Sequence, residues 1–105
     1  MNIEIVKKRF IPMSETMLYI LLSLREERHG YGIMQYVKEI TNGRITLGAG
    51  TIYQSLGKLE NDELIVPTKE VERKKFYIIT DIGNQILLEE AQRIKEVYRN
   101  LGGLI

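Results

Sequence analysis

Apolar residues recur at helical spacing in the first half of the chain, in two stretches separated by a glycine-containing break. The first stretch begins after Ser14, which is placed as its N-cap just after Pro12. Its apolar positions are Met17, Leu18, Leu21, Leu22 and Leu24. Gly30 and Gly32 interrupt the pattern, and a second helix is predicted to follow them and to stop at residues 42–43. Its apolar positions are Ile33, Tyr36, Val37 and Ile40.

A third helix is predicted within residues 48–65, where apolar and polar positions separate most clearly. Ile52, Leu56 and Leu59 fall within roughly 60° of one another on a helical wheel, which makes an apolar stripe. The opposite face is polar. It consists of Thr51, Gln54, Gly57, Lys58 and Asn61, with Tyr53 and Ser55 on its two borders. Such a helix has an apolar back for the core and a polar front for a partner.

The remaining segments predict strands and one long helix. "RITL" alternates at Ile45 and Leu47 and suffices only for a short strand, whereas "LIVPTKEV" and "KKFYIIT" predict a hairpin joined by the charged "ERK". Thr80 is placed to cap a last helix over residues 81–101, which at roughly 30 Å exceeds what a small core requires. A two-helix seam is predicted along it at Leu87, Ala91, Ile94, Tyr98 and Leu101.

The element order is helix, helix, short strand, helix, hairpin and long helix, which is the order of a winged helix-turn-helix. We therefore expect a mainly α (α+β) fold with a two-stranded wing and a long C-terminal dimerisation helix. The chain has 105 residues, 44% apolar and 28% charged, which fits one globular domain. Within a single domain spanning 1–105, we assign the winged-helix core to residues 14–79 and the dimerisation helix to residues 80–105.

In this architecture the helix after the turn enters the major groove of DNA, with an apolar back and a polar front. On the predicted polar face, Gln54 is suited to adenine, and Lys58 is suited to guanine or phosphate. Thr51 and Ser55 are suited to phosphate oxygens, and Tyr53 to either task. These five residues are the predicted contacts of the third helix.

Charge is segregated along the chain, although 15 basic and 14 acidic residues leave a net charge of only +1. Near the hairpin tip, Arg73, Lys74 and Lys75 are predicted to neutralise phosphates, with Lys75 ranked third because successive strand residues point to opposite faces. A second basic run at residues 7–9 precedes the first predicted helix. It could add contacts, although a charge run is usually a solvated surface. The acidic group at residues 60–63 lies at the end of the third helix that stays out of the groove.

Other chemistry finds little support in the sequence. Without cysteine there is neither a disulfide framework nor a thiolate metal site, and the cytoplasm is the expected compartment, since the charged N-terminal segment fits no signal peptide or membrane span. His29, the single histidine, has no metal-ligand or catalytic spacing around it and is interpreted as a turn residue. Tyr31, Tyr36 and Phe76 are interpreted as core aromatics. No cofactor, membrane partner or enzymatic activity is expected.

The segment "HGYGIMQYVKEITNGRITLGAGTIYQSLGKLENDELI", followed by "RKKFYIITDIG", resembles the PadR family of transcriptional regulators. The resemblance covers about Thr16 to Gly83. Its most specific pieces are "HGYG" at 29–32, "GTIYxxLxxLE" at 50–60, and Tyr77-x-x-Thr80-x-x-Gly83. It implies a homodimeric winged-helix repressor of operator DNA, released by a small molecule or another cue. It also implies a dimer formed largely through the last helix, and it places Thr51 and Tyr53 at the DNA face.

Two features depart from the family pattern. The wing segment "TKEVERKKF" has no glycine and interposes Glu70 and Glu72 among its basic residues. The chain also has no tryptophan on which a flat aromatic ligand could stack, and Tyr19 and Tyr98 are weak substitutes. The single C-terminal helix resembles the short subgroup of the family, so any small-molecule effector is expected at the dimer interface.

Three hypotheses follow from these patterns. The first is a sequence-specific regulator whose two third helices bind half-sites about 10 bp apart in a near-palindromic operator. The second is a winged-helix module that binds a protein through the same polar face, with the near-neutral charge reflecting no nucleic-acid partner. The third, compatible with the first, is the sensing of a small molecule at the centre of a dimer.

Overall fold

The computed structural model describes residues 2–105. In chain order the elements are α1 (Ile3–Phe10), α2 (Glu15–Ser23), β1 (Arg28–His29), α3 (Gly30–Ile40), α4 (Ala49–Asn61), β2 (Ile65–Val71), β3 (Lys74–Ile79) and α5 (Asp81–Asn100). The strands form an antiparallel sheet in the order β1-β3-β2, so that β3 lies in the middle. The expected mainly helical fold with a two-stranded wing and a long last helix is confirmed.

One hydrophobic core joins the helices to the sheet. All five helices contribute fully buried side chains to it, among them Val6, Leu21, Ile33, Ile52 and Ile86. The spacing that predicted these helices therefore marks the face that each one buries. The predicted cap of α2 is also confirmed, because the Ser14 hydroxyl accepts a hydrogen bond from the Met17 N–H at 3.1 Å.

The strand predicted at residues 44–47 is wrong. Residues 45–48 have no regular structure, and Leu47 is buried, so the apolar alternation reflects a loop anchored in the core. The Ile45 N–H donates to Thr41 Oγ1 at 3.1 Å. A side chain thus satisfies a backbone group that in a strand would need a neighbouring strand.

The strand that completes the sheet, β1, lies instead in the segment interpreted as a helix break. Arg28 and His29 pair with β3, and two residues are too few to give an alternating pattern in the sequence. His29 also caps α3, since its Nδ1 accepts from the Gly32 N–H at 3.0 Å. The helix therefore begins at Gly30, before the second glycine. His29 is hydrogen-bonded, as expected, but it is a strand residue and an N-cap and not a turn residue.

An additional helix, α1, occupies the segment before Ser14, for which the sequence analysis predicted no element. Val6 and Phe10 are buried, and the Asn2 side chain caps the helix by accepting from the Glu4 N–H at 2.9 Å. The basic run at residues 7–9 lies in the last turn, where cations oppose the helix dipole favourably. The hydrophobic core therefore begins before residue 14.

Thr80 and Gly83 fix the junction between the wing and α5. Thr80 Oγ1 accepts from the Gly83 N–H at 3.1 Å and donates to the Glu63 carbonyl oxygen at 2.6 Å. A Cβ on Gly83 would lie 2.1 Å from the Leu64 carbonyl oxygen, so only glycine lets α5 pass this close to the backbone. The predicted helix start is confirmed, and Leu101 is the C-cap of α5. No helix in the described part of the chain is both long and apolar enough to cross a bilayer.

Candidate nucleic-acid interface

α4 turns an apolar face to the core and a polar face to solvent. Ile52, Leu56 and Leu59 are buried, which confirms the predicted stripe. The exposed residues on the other side of the helix include Thr51, Tyr53, Gln54, Gly57, Lys58 and Asn61. We call this set the open face of α4. Four of the five contacts predicted for this helix lie on it.

Ser55 is the exception. Only 8% of its surface is exposed. Residues 52, 55, 56 and 59 follow the i, i+3, i+4, i+7 spacing of one helical face, so Ser55 turns toward the core together with Leu56. The expectation that Ser55 lies at the edge of the open face is therefore wrong, and we remove it from the candidate contacts.

Tyr53 extends from α4 to the beginning of α3. It exposes 63% of its surface, yet a Cβ added to Gly30 would lie only 3.4 Å from the Tyr53 hydroxyl oxygen. The tyrosine ring therefore rests beside the backbone of α3 without filling the core. This contact restricts the rotamers of Tyr53 before any partner binds, which lowers the entropy lost on binding.

The interpretation of Tyr31 as a core aromatic is wrong, because 61% of it is exposed in the first turn of α3. Tyr36 and Phe76 are partly buried. The guanidinium of Arg28 lies 4.5 Å from the centroid of the Tyr36 ring, and His29 stacks on Phe76 with the ring centroids 4.8 Å apart. These contacts join β1 to α3 on one side and to the wing on the other.

The N-terminus of α4 has no side-chain cap. Its N-cap residue is Gly48, whereas side chains cap the other helices of residues 2–105, at Asn2, Ser14, His29 and Thr80. No atom lies within 4 Å of a Cβ built on Gly48 or Gly50. The first-turn N–H groups of α4, beside Thr51, therefore have no side-chain cap at the positive end of the helix dipole.

The wing ends in a two-residue turn at Glu72 and Arg73, both with positive φ (51° and 67°). Such turns favour Asn-Gly, and other residues are strained there. Arg73, Lys74 and Lys75 are all exposed, and none of them forms an ion pair within residues 2–105. We call these three residues the wing cluster.

The base of the wing is held by contacts that the sequence did not reveal. Lys69 Nζ lies 3.2 Å from Glu27 Oε1 and 4.8 Å from the centroid of the Phe76 ring. Hydrogen bonds from Thr68 and then Lys69 lower the pKa of Glu27. Because Glu27 and Lys69 are far apart in the chain, no local pattern announces their contact.

The basic run at residues 7–9, which we call the α1 cluster, is largely neutralised within the protein. Lys7 Nζ lies 2.7 Å from Glu89 Oε1 and 3.3 Å from Glu4 Oε1, and these carboxylates, Glu89 foremost, raise the pKa of Lys7. Arg9 forms an ion pair with Asp62, whose side chain is only 10% exposed. Lys8 has no ion pair in the described part of the chain.

Glu90 is a fully buried carboxylate on α5. Its Oε2 accepts from the Met13 N–H at 3.1 Å and from Arg93 Nη2 at 2.8 Å, and its Oε1 accepts from Arg93 Nε at 2.9 Å. Hydrogen bonding from Arg93, against the opposing effect of burial, lowers the pKa of Glu90. Through Glu90, the connection between α1 and α2 is attached to α5.

From Leu88 to its C-cap, α5 exposes a row of large apolar side chains. Its members are Leu88, Ile94, Val97, Tyr98 and Leu101. In the predicted seam, Ala91 is also exposed and Leu87 is half-buried. This apolar surface is wider than the seam, since Leu88 and Val97 were not predicted as parts of it.

Within residues 2–105, no group of His, Cys, Asp or Glu side chains has the arrangement of a metal site.

The α3–turn–α4 pair, the open face of α4 and the β2–β3 hairpin beside it define a winged helix-turn-helix protein. The chain belongs to the Transcriptional regulator PadR-like family, whose model matches residues 17–89. The resemblance found in the sequence is thereby confirmed.

Related proteins have been named or solved. Transcriptional regulator YqjI of Escherichia coli (strain K12) is 32% identical over 92 residues, which are 87% of this chain and 44% of that protein. The chain thus spans less than half the length of this relative. Bacillus subtilis PadR, solved in complex with operator DNA, is 34% identical with a TM-score of 0.62, over 74% of this chain and 47% of that one. A PadR family transcription regulator from Clostridium difficile R20291 shares the fold, with a TM-score of 0.70 at 21% identity over 87% of this chain and 98% of that one.

Proposed function

We propose that this PadR-family transcriptional regulator is a sequence-specific repressor that binds double-stranded DNA as a homodimer in the cytoplasm. The observation that carries the proposal is the open face of α4, with Thr51, Gln54 and Lys58 exposed above a buried apolar back. A helix of this kind fits the major groove. The operator complex of the Bacillus subtilis relative supports operator DNA as the ligand.

The four candidate contacts on the open face have distinct tasks in this proposal. Gln54 pairs with adenine, and Lys58 reaches guanine or a phosphate. Thr51 binds a phosphate oxygen next to the uncapped N–H groups of α4, which suit the same anion. Tyr53, already held beside Gly30, contacts a base or a phosphate.

The wing cluster neutralises phosphates on the flanking DNA backbone. Arg73 at the tip and Lys74 are the principal contacts. Lys75 remains third, because it stands opposite Glu70 in the hairpin and its Nζ lies 5.8 Å from the Tyr77 ring centroid. This contribution is independent of DNA sequence and weakens as salt rises.

The exposed apolar row of α5 supports a symmetric dimer. Leu87, Ala91, Ile94, Tyr98 and Leu101 form the proposed interface. Each α4 then binds one half-site, with half-site centres about 10 bp apart in a near-palindromic operator. The dimer supplies the pairing of α4 helices that a palindromic operator requires.

The proposal also includes a small-molecule effector that releases the protein from DNA. Its proposed location is the dimer centre, where Tyr98 offers an exposed ring within the apolar row. Since the chain contains no tryptophan, ligand binding there should quench tyrosine emission directly. Tyr98→Leu should abolish that quenching, and quenching that survives the substitution would place the ligand elsewhere.

Selection of bound duplexes from random DNA at moderate salt tests the function, because it reports binding, sequence and half-site spacing together. Gln54→Ala should relax the preference at one base pair per half-site, at a cost of about 1–3 kcal/mol. Gln85→Ala is the matched control, an exposed glutamine on α5 outside the proposed interface. If the folded protein enriches no duplex, the proposal fails, and the alternative of a protein partner docking on the open face is favoured.

A further inference from the structure

The ion pair between Arg9 and Asp62 connects α1 to the end of α4. Asp62 is the C-cap residue of α4 and is nearly buried, whereas Arg9 lies in the last turn of α1 and is about half exposed. The proposed DNA contacts on α4 begin eleven residues earlier at Thr51, roughly 16 Å away along the helix axis, and end at Lys58, about one turn before Asp62. Arg9 is therefore a contact of the DNA-distal end of α4.

A carboxylate is poorly placed at this position unless a cation accompanies it. Asp62 lies at the negative end of the α4 dipole, and burial deprives it of most of its hydration. Arg9 is its ion-pair partner within residues 2–105. The geometry therefore couples the orientation of α1 to the C-terminus of α4 more strongly than a solvated surface pair would.

The same short helix is attached to α5 on its other side. Lys7 pairs with Glu89 of α5 at 2.7 Å, and the backbone of Met13, just beyond α1, donates to the buried Glu90 of α5 at 3.1 Å. Val6 and Phe10 bury the side of α1 that faces the core. α1 thus bridges two elements with separate tasks, the helix proposed to bind DNA and the helix proposed to dimerise.

We propose that Arg9 and Asp62 are positioning residues: through α1 they fix the end of α4 relative to α5, and so set the half-site spacing that a dimer accepts. The proposal rests on the proposed function for its consequence at the operator, but not for the positioning itself. Contact with DNA is not part of it.

Spin-label distances test the positioning without DNA or dimerisation. The chain has no cysteine, so Lys58→Cys and Lys95→Cys place one exposed label on α4 and one on α5, and excess unlabelled protein suppresses distances between protomers. Arg9→Gln and Asp62→Asn should each broaden the α4–α5 distance distribution below the melting temperature, while Arg9→Lys keeps it narrow. Lys8→Gln, the neighbouring exposed lysine, should leave it unchanged. Distributions as narrow in Arg9→Gln and Asp62→Asn as in the parent would overturn the proposal.

A duplex panel tests the consequence. Selected half-sites are placed at the preferred spacing and at one base pair more or less, and affinities are compared. In Arg9→Gln and in Asp62→Asn, the ratio of the affinity at the best spacing to the affinity at the next-best spacing should fall at least about fivefold. This is the lower end of the coupling measured between distant sites. A merely structural defect would weaken all spacings equally, and that result, or an unchanged ratio, overturns the proposal. If even the parent binds no duplex, the proposed function fails, and the spin-label distances still decide the positioning.

Discussion

The α1 cluster and the wing cluster have the same composition, two lysines and one arginine in a run of three, but different surroundings. In the α1 cluster, Lys7 and Arg9 are paired with carboxylates of α5 and α4. In the wing cluster, all three side chains are exposed and unpaired within residues 2–105. Two clusters that contribute equally to net charge therefore differ in what they offer to a polyanion.

This difference shows that the composition of a basic run does not decide whether it can bind DNA. What decides is whether its charges are free of ion pairs within the protein. A lysine or arginine already paired in the protein must break that pair before it displaces counterions from DNA, so it adds little to binding. The net charge of +1 hides this distinction, because the carboxylates that lower the net charge include those that neutralise the α1 cluster. The overall charge is compatible with a wing that is locally basic.

The largest expected effect comes from removing the paired arginine. Arg9→Gln should lower the free energy of unfolding by about 2 kcal/mol, because it leaves Asp62 as a buried, unpaired charge; the value is below that of a fully buried pair since Arg9 is half exposed. Arg73→Gln should change it by less than about 0.5 kcal/mol. Urea denaturation of both variants measures the contrast. Equal stability losses would show that the two clusters do not differ as the structure indicates.

The attachment of α1 also depends on Glu90, and its contribution should depend on pH. The pKa of Glu90 is lowered below its ordinary value of 4.5, so its stabilisation is present above that pH and is lost as pH falls through the lower, folded-state value. Glu90→Gln should therefore cost about 1.5 kcal/mol near neutral pH, the size of a hydrogen bond to a charged group, and progressively less below pH 4.5. Thermal unfolding of parent and variant between pH 7 and pH 3 measures this difference. A stability difference between parent and variant that stays constant from pH 7 to pH 3 would contradict the role of the ionised Glu90 carboxylate.

Those elements that bury a periodic apolar face could be predicted from the sequence. The stripe of Ile52, Leu56 and Leu59 predicted α4 and its open face, and Thr80 marked the start of α5. In each case the local pattern and the tertiary contact agree. The residues of the open face could be predicted by the same reasoning, although Ser55 was wrongly placed at its edge.

The elements that could not be predicted from the sequence depend on contacts between distant residues. β1 consists of two residues that form a strand only because β3 lies beside them, whereas "RITL" alternates without a partner strand. α1 is too short for its apolar periodicity to be recognised in the sequence. Its basic residues resemble a solvated run because their partners, Asp62 and Glu89, lie far away in the chain. No pattern in a local window records such pairings.

The wing tip offers a smaller effect in which stability and binding change in opposite directions. Arg73→Gly should raise the free energy of unfolding by about 0.5 kcal/mol, because glycine relieves the positive φ of 67° at the second turn position. The same change should weaken binding to all duplexes and reduce the slope of affinity against salt by about 1. Urea denaturation and gel shifts at several salt concentrations measure the two effects. A more stable variant with unchanged salt dependence would remove Arg73 from the proposed contacts.

Lys8→Gln should have the smallest effect, and it tests the division between the clusters most directly. Lys8 lies between the two paired residues of the α1 cluster, yet it is exposed and without an ion pair in the described residues. If only the wing cluster contacts DNA, the substitution should change the free energy of unfolding by less than about 0.5 kcal/mol and leave the salt slope as it is. Gel shifts of the variant beside Lys74→Gln, which should lower the slope by about 1, provide the comparison. If Lys8→Gln and Lys74→Gln lowered the slope of affinity against salt equally, α1 would also contact the DNA backbone, because a free lysine contributes wherever a phosphate lies within its reach.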